Sequence, residues 1–182
     1  MVQIGTGGFL NPQKIVNEIG IIDDGMKIAD FGSGNGYFSL PLAKKVGDGG
    51  KVFALDVLDE SLEAVSSQKR IQGIENIETK KCNLELEKGS KLLEKSFDIV
   101  WIANLLFQTE KDEVVIREAK RILKPKGRLV FIDWKPGVSL GPQGGRVSPD
   151  DVKKLIENEG FFLERNFSTD SYHFGLIFKK ND

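Results

Sequence analysis

The sequence predicts an α/β domain, doubly wound about a mostly parallel sheet and closed by a C-terminal antiparallel hairpin. Three observations carry this. Apolar strand-like runs alternate with helix-like segments between residues 27 and 133, the pattern of a parallel sheet covered on both faces. Glycines at alternate positions, Gly32, Gly34 and Gly36, stand between the first apolar run and a helical pattern. The tail changes rhythm: two apolar runs, joined by Ser168-Thr-Asp170, follow a capped helix. A chain of 182 residues fits a single domain, residues 1–182, and no repeat or linker divides it.

Residues 1–20 read as a cap. Gly7–Pro12 is a loop, and residues 13–19 form a short helix ended by Gly20. The cap either covers a pocket or simply packs on the sheet. Strands are expected near 27–31, 51–56, 77–82, 97–103 and 127–133. Helices are expected near 36–46, 59–71 and 110–124, with a weaker one near 87–94. Asp59 and Glu60 open the second helix, where the positive end of the dipole favours acids. Val114, Val115, Ile116, Ala119, Ile122 and Leu123 give the 110–124 segment an apolar face; Lys111, Glu113, Arg117 and Lys120 give it a solvated one. In the tail, Ser148 caps a helix with Pro149 at its first position, and Gly160 ends it. The runs 161–167 and 171–178 then read as the hairpin.

Composition narrows the function classes. A net charge of −1 without a run of like charges argues against a dedicated grip on a nucleic-acid backbone. Cys82 is the single cysteine, so no internal disulfide can form, and one Cys with one His argues against a structural zinc site. No apolar stretch has membrane-spanning length and the N-terminus lacks a secretory pattern, so the expected location is cytoplasmic.

The chemistry concentrates at the glycine turn. Lys27-Ile-Ala-Asp-Phe-Gly-Ser-Gly-Asn-Gly36 reads as strand, tight turn and helix start, which lets a ligand lie against bare backbone. Asp56 ends the next strand, twenty residues after Gly36, a spacing that suits an acid gripping ribose hydroxyls. The nicotinamide fingerprint Gly-x-Gly-x-x-Gly fits poorly, because Tyr37 stands where its third glycine belongs. Asp30, two residues before the first glycine, would set a carboxylate beside pyrophosphate charge. It suits a cofactor carrying an amine and a sulfonium.

Asp30-Phe-Gly-Ser-Gly-Asn-Gly36 resembles motif I of the class I S-adenosylmethionine (SAM)-dependent methyltransferases. Asp56 matches that family's acid at the end of the second strand. Lys81-Cys-Asn-Leu84 falls where the family usually places an Asp; here an Asn, Asn83, can still accept from the adenine amino group. Residues 97–106 resemble the fourth strand and its end, and residues 118–133 the family's helix, Pro-Lys-Gly turn and fifth strand. The chain looks closest to the ubiquinone/menaquinone methyltransferase-like group, many of whose members have His where this chain has Phe107.

The resemblance implies a Rossmann-like, seven-stranded sheet with one antiparallel strand, SAM as cofactor and S-adenosylhomocysteine (SAH) as product. It implies that the Gly32-Ser33-Gly34 turn and Gly36 support the methionine part. Asp30 and the carbonyl near Asn104 would orient its amine, Asp56 would hold the ribose, and Val57, Asn83 and Leu84 would surround the adenine. The acceptor is expected to be a small molecule. The alternatives are an RNA or protein acceptor, a SAM-binding module without catalysis, and an NAD dehydrogenase. No Asn-Pro-Pro-Tyr-like tetrad, typical of amino-group methylation, stands near 103–107. Arsenite methylation in similar domains relies on several cysteines.

On the acceptor side the candidates are Phe9, Trp134, Arg146, Tyr172 and His173. His173 and Asp133 are candidate bases; the alternatives are a packed histidine and a supporting carboxylate. Arg146 either pairs an anionic substrate or caps its loop. Methyl transfer needs a base only when the acceptor must lose a proton, so no catalytic residue is required by the chemistry alone. The oligomeric state is left open.

Overall fold

The computed structural model describes residues 10–142 and 144–181. Seven strands form one sheet: β1 (Lys27–Phe31), β2 (Lys51–Asp56), β3 (Ile77–Lys81), β4 (Phe97–Ala103), β5 (Leu123–Trp134), β6 (Phe161–Phe167) and β7 (His173–Lys180). Their order is β3-β2-β1-β4-β5-β7-β6. All neighbouring pairs among β1 to β5 are parallel, while β7 runs antiparallel to both β5 and β6. Five helices connect them: α1 (Pro12–Glu18), α2 (Ser39–Val46), α3 (Asp59–Ile71), α4 (Asp112–Ile122) and α5 (Pro149–Asn158).

The central strands are apolar on both faces because both faces are covered. On one face Ile28, Val52, Ala54, Trp101, Val130 and Ile132 meet apolar residues of α1, α2 and α3. On the other, Phe31, Leu55, Val100, Ile102, Leu129 and Phe131 meet Val115, Ile116 and Ala119 of α4 and Val152 and Ile156 of α5. Successive strand residues alternate between these two cores, as the period-2 pleat requires.

Three expectations about elements need correction. No helix forms at 87–94. The segment is a string of turns in which Lys88 and Lys91 take positive φ and Ser90 is drawn inward, its backbone N–H donating to Glu118 of α4 at 3.1 Å. That long-range bond overrides the weak local preference. Residues 36–38 precede α2 as turn. The Pro125-Lys-Gly127 turn is absorbed into β5: Leu123 pairs with Phe97 and Arg128 with Ile99, with an irregularity between them where Lys126 has φ 63°. The expected α5 cap does form, with Ser148 Oγ accepting from the Asp151 N–H at 3.1 Å.

Candidate active site

The C-terminal ends of β1, β2 and β4 open into a pocket of about 450 Å³. This is where parallel sheets bind ligands, because the chain diverges there to opposite faces. Asp30, Gly32, Ser33, Gly34, Asp56, Val57, Asn83, Leu84 and Asn104 all line it. Sequence inspection missed other lining residues, among them Tyr37, Phe38, Leu58, Glu85, Gln108 and Thr109. Their signal was only adjacency to motif residues. Gly36 is a correction: it does not line this pocket. Its φ is 85°, and an added Cβ would lie 3.1 Å from Val65 Cγ2, so it serves the close packing of the turn on α3.

The glycine turn is locked to its neighbours. Ser33 N–H donates to the Leu55 carbonyl at 2.9 Å, tying the turn to β2. Asp56 Oδ2 accepts from Gly34 N–H at 2.9 Å, and Oδ1 from Leu58 N–H at 3.0 Å. One carboxylate therefore fixes the turn that follows β1 and the start of α3. An ionised carboxylate has about four acceptor sites, so each oxygen retains capacity for a ribose hydroxyl. Gly34 has φ 49° and nothing within 4 Å of an added Cβ, so its bare face looks into open space.

Asp30 is buried at the end of β1 and accepts from Ser39 Oγ at 2.5 Å. Burial pushes its pKa up to about 7, against the Ser39 hydrogen bond and with a smaller push from Asp56. A buried acid poised between its two forms has a strong preference for a cationic partner. Two further polar atoms, Ser33 Oγ and Asn104 Oδ1, are buried without a hydrogen-bond partner. Such atoms are rare in folded proteins and mark places where a ligand or water completes the site. Asn104 has φ 54°, and its carbonyl accepts from Gln108 Nε2 at 3.3 Å. Beyond the end of β3, Asn83 Oδ1 accepts from Glu85 N–H at 2.9 Å, and Glu85 Oε1 accepts from the N–H groups of Glu110 and Lys111. Cys82 is buried there, and desolvation pushes its thiol up to about 11.

The acceptor-side candidates fall outside this lining. Trp134 and His173 are register partners on β5 and β7, and their rings are 4.0 Å apart between centroids. Arg146 takes the second of its two expected roles, capping its loop. Its guanidinium donates to the carbonyls of Pro142, Lys135, Val138 and Leu140, and it stands 5.9 Å from the Trp134 ring. With four of its five N–H donors directed to loop carbonyls, it caps backbone. Asp133 is fully buried and points to the opposite face from Trp134. Its Oδ1 accepts from Trp134 N–H at 2.8 Å, its Oδ2 has no partner, and desolvation pushes its pKa up to about 7. Tyr172 donates its N–H to Asp170 Oδ1 at 2.9 Å. Phe9 lies outside the described residues, as do residues 1–8 of the cap, but Tyr37 of the pocket donates its hydroxyl to the Leu10 carbonyl at 2.6 Å.

A family model described as a methyltransferase domain matches residues 22–169. The chain belongs to that family. It is 36% identical over 112 residues to the demethylmenaquinone methyltransferase of Lactococcus lactis subsp. lactis, covering 60% of this chain and 42% of that protein. It is 32% identical over 155 residues to the arsenite methyltransferase of Aquipseudomonas alcaligenes, covering 76% and 44%. The chain thus spans less than half the length of these curated relatives. The crystal structure of a SAM-dependent methyltransferase from Aquifex aeolicus superposes with a TM-score of 0.84 at 28% identity, covering 93% of this chain and 89% of that one. The family model and the Aquifex aeolicus structure together identify a class I SAM-dependent methyltransferase domain.

The family's cofactor is SAM, and the residues present fit it. The acids Asp30 and Asp56 flank a bare glycine turn, and two buried polar atoms without partners, Ser33 Oγ and Asn104 Oδ1, belong to residues that line the same pocket. Among the described residues no helix is long and apolar enough to cross a membrane, and no cluster of candidate metal ligands occurs.

Proposed function

We propose that this chain transfers the methyl group of SAM to a small organic acceptor. The observation that supports it most is the pairing of Asp56, bonded to Gly34 and Leu58, with the buried, cation-seeking Asp30 across one glycine turn. Asp56 would accept from the ribose hydroxyls. Asp30, the Asn104 carbonyl and Ser33 Oγ would hold the methionine end. Asn83, Leu84, Val57 and Leu58 would enclose the adenine. The bound cofactor supplies an activated methyl on a positive sulfur. The chain's part is to hold the acceptor in line with it and to keep water away, which alone can supply much of the acceleration.

A small acceptor fits the near-neutral charge and the absence of a charge run. The arsenite chemistry named for one relative is disfavoured, because the only thiol, Cys82, is buried with a raised pKa. Calorimetry with SAM, SAH and NAD is the first test; tight NAD binding without SAM binding overturns the assignment. Screening a cell extract with methyl-labelled SAM then identifies the acceptor. SAM binding with no labelled product across the extract would favour a binding module without catalysis.

A further inference from the structure

Beyond the cofactor pocket, one cluster at the same sheet edge has the chemistry of a poised base. His173 is buried at the start of β7. Its Nδ1 is 2.9 Å from Asp170 Oδ1 and 3.0 Å from Oδ2, and its backbone N–H donates to Asp170 Oδ1 at 2.7 Å. Asp170 also accepts from Tyr172 N–H, so its carboxylate is fixed by two backbone donors before it meets the ring. A carboxylate accepts only, so Nδ1 carries the proton and Nε2 is left with its lone pair. That Nε2 is buried without a hydrogen-bond partner.

Register places His173 on the same face of the sheet as Asp30 and Ala103, which line the cofactor pocket. Asp30 is the partner of Trp101, Ala103 of Ile132, and Trp134 of His173. Partners in register point to the same face, and residues two apart share a face. Asp30, Ala103, Trp134 and His173 therefore lie on one face of the sheet, stepping diagonally toward its C-terminal edge. His173 is two strands and two residues of register beyond Ala103, which lines the pocket, or about 12 Å at the usual strand spacing and rise. Trp134 bridges the gap.

Resting on the methyltransferase reading, we propose that His173, oriented by Asp170, is the base for an acceptor that carries its reactive atom as a hydroxyl or thiol. The acceptor's oxygen or sulfur forms the bond to the methyl carbon. The carbon–sulfur bond of the cofactor breaks with its electron pair going to sulfur. The O–H or S–H proton passes to Nε2, and the imidazolium is stabilised by Asp170. Desolvation lowers the His173 pKa, while its hydrogen bond and charge interaction with Asp170 work in the opposite direction; the net lowering keeps the ring neutral and able to accept at pH 7. Asp170 is then a positioning residue. An acceptor with a free lone pair and no proton to lose gains nothing from the pair.

His173 is the only histidine, so a protein labelled in its imidazole nitrogens gives one pair of ring signals. The test uses the full chain loaded with SAH at pH 7, with loading checked by calorimetry. Nδ1 is expected protonated and Nε2 bare. Phenol, catechol and thiophenol are then titrated, with dimethyl sulfide as the protonless control. At least one of the three should shift Nε2 and the control should not. That probe, with SAM, should turn over about 100-fold or more slower in His173→Gln at unchanged SAH affinity. Asp170→Asn should mix the two tautomers. A protonated Nε2 in the SAH-loaded wild type, or no Nε2 shift from any of the three, overturns the proposal without any variant having to fold. Failure of SAH to bind overturns the methyltransferase reading instead and is seen first.

Discussion

Asp56→Ala is the most informative single substitution in the cofactor pocket. It removes the acceptor of Gly34 N–H at 2.9 Å and of Leu58 N–H at 3.0 Å, together with the sites left for the ribose. A hydrogen bond to a charged group contributes about 1.5–3 kcal/mol, and water partly replaces it at a half-buried site. The expected loss is about 1–3 kcal/mol of SAM affinity, or roughly 5- to 150-fold in Kd. Loss of affinity alone does not say which contact failed, because the glycine turn also loosens. Comparing 5′-methylthioadenosine with its 2′,3′-dideoxy analogue separates the two effects in a double-mutant cycle. The wild type should prefer the hydroxylated ligand, and Asp56→Ala should lose that preference. Asp56→Asn, which retains one acceptor oxygen, should fall between them. Calorimetry reads all three. An unchanged Kd, or a preference for the hydroxyls that survives in the Ala variant, would remove Asp56 from the ribose site.

Other perturbations separate charge, shape and scaffold. Asp30, with its pKa raised to about 7, is protonated below that pH and ionised above it. If only the ionised form pairs with the amine, SAM affinity rises with pH, by about fivefold between pH 6 and 7 and about twofold more by pH 8, where it levels; Asp30→Asn should flatten that slope, and an identical slope in the variant would assign it elsewhere. Gly34→Val puts a branched side chain at φ 49° into open pocket space, so the fold should survive with a loss of about 1–2 kcal/mol while SAM binding disappears; thermal unfolding and calorimetry read the two, and tight binding in the folded variant would place the cofactor elsewhere. Glu118→Ala leaves Ser90 and Arg121 without their shared partner in a buried site, and should destabilise the fold by about 3–5 kcal/mol. Burial raises the Glu118 pKa, but hydrogen bonds from Arg121 and Ser90 outweigh it and the net shift is downward, so this contribution is present above the ordinary glutamate range and lost as pH falls. Equal melting temperatures for wild type and variant would show the network to be marginal.

Much of this protein is written locally. The alternation of strand-like runs with helical segments gave all five parallel strands, and the central ones are apolar where both faces are covered, as 99–102 are. Gly32 and Gly34 were legible because their positive φ values, 69° and 49°, suit few other residues. Asp30 and Asp56 were legible because strand ends fix where a side chain can meet a ligand. Gly36 shows the limit of that logic: it satisfies the same backbone demand but serves packing on Val65.

What local sequence could not determine depends on partners distant along the chain. Ser90 is held by Glu118 of α4, so residues 87–94 turn instead of forming a helix. Whether Arg146 pairs an anion or caps its loop was open in the sequence; the 135–146 loop folds back and supplies it with four carbonyls. Glu85 reaches the start of α4 across 25 residues. Trp134 and His173 lie 39 positions apart and meet because β7 inserts antiparallel beside β5. A local pattern determines backbone conformation, since propensity and periodicity act over a few residues. Which polar groups satisfy one another, and which are left waiting for a ligand, is decided only when distant segments are brought within hydrogen-bond distance.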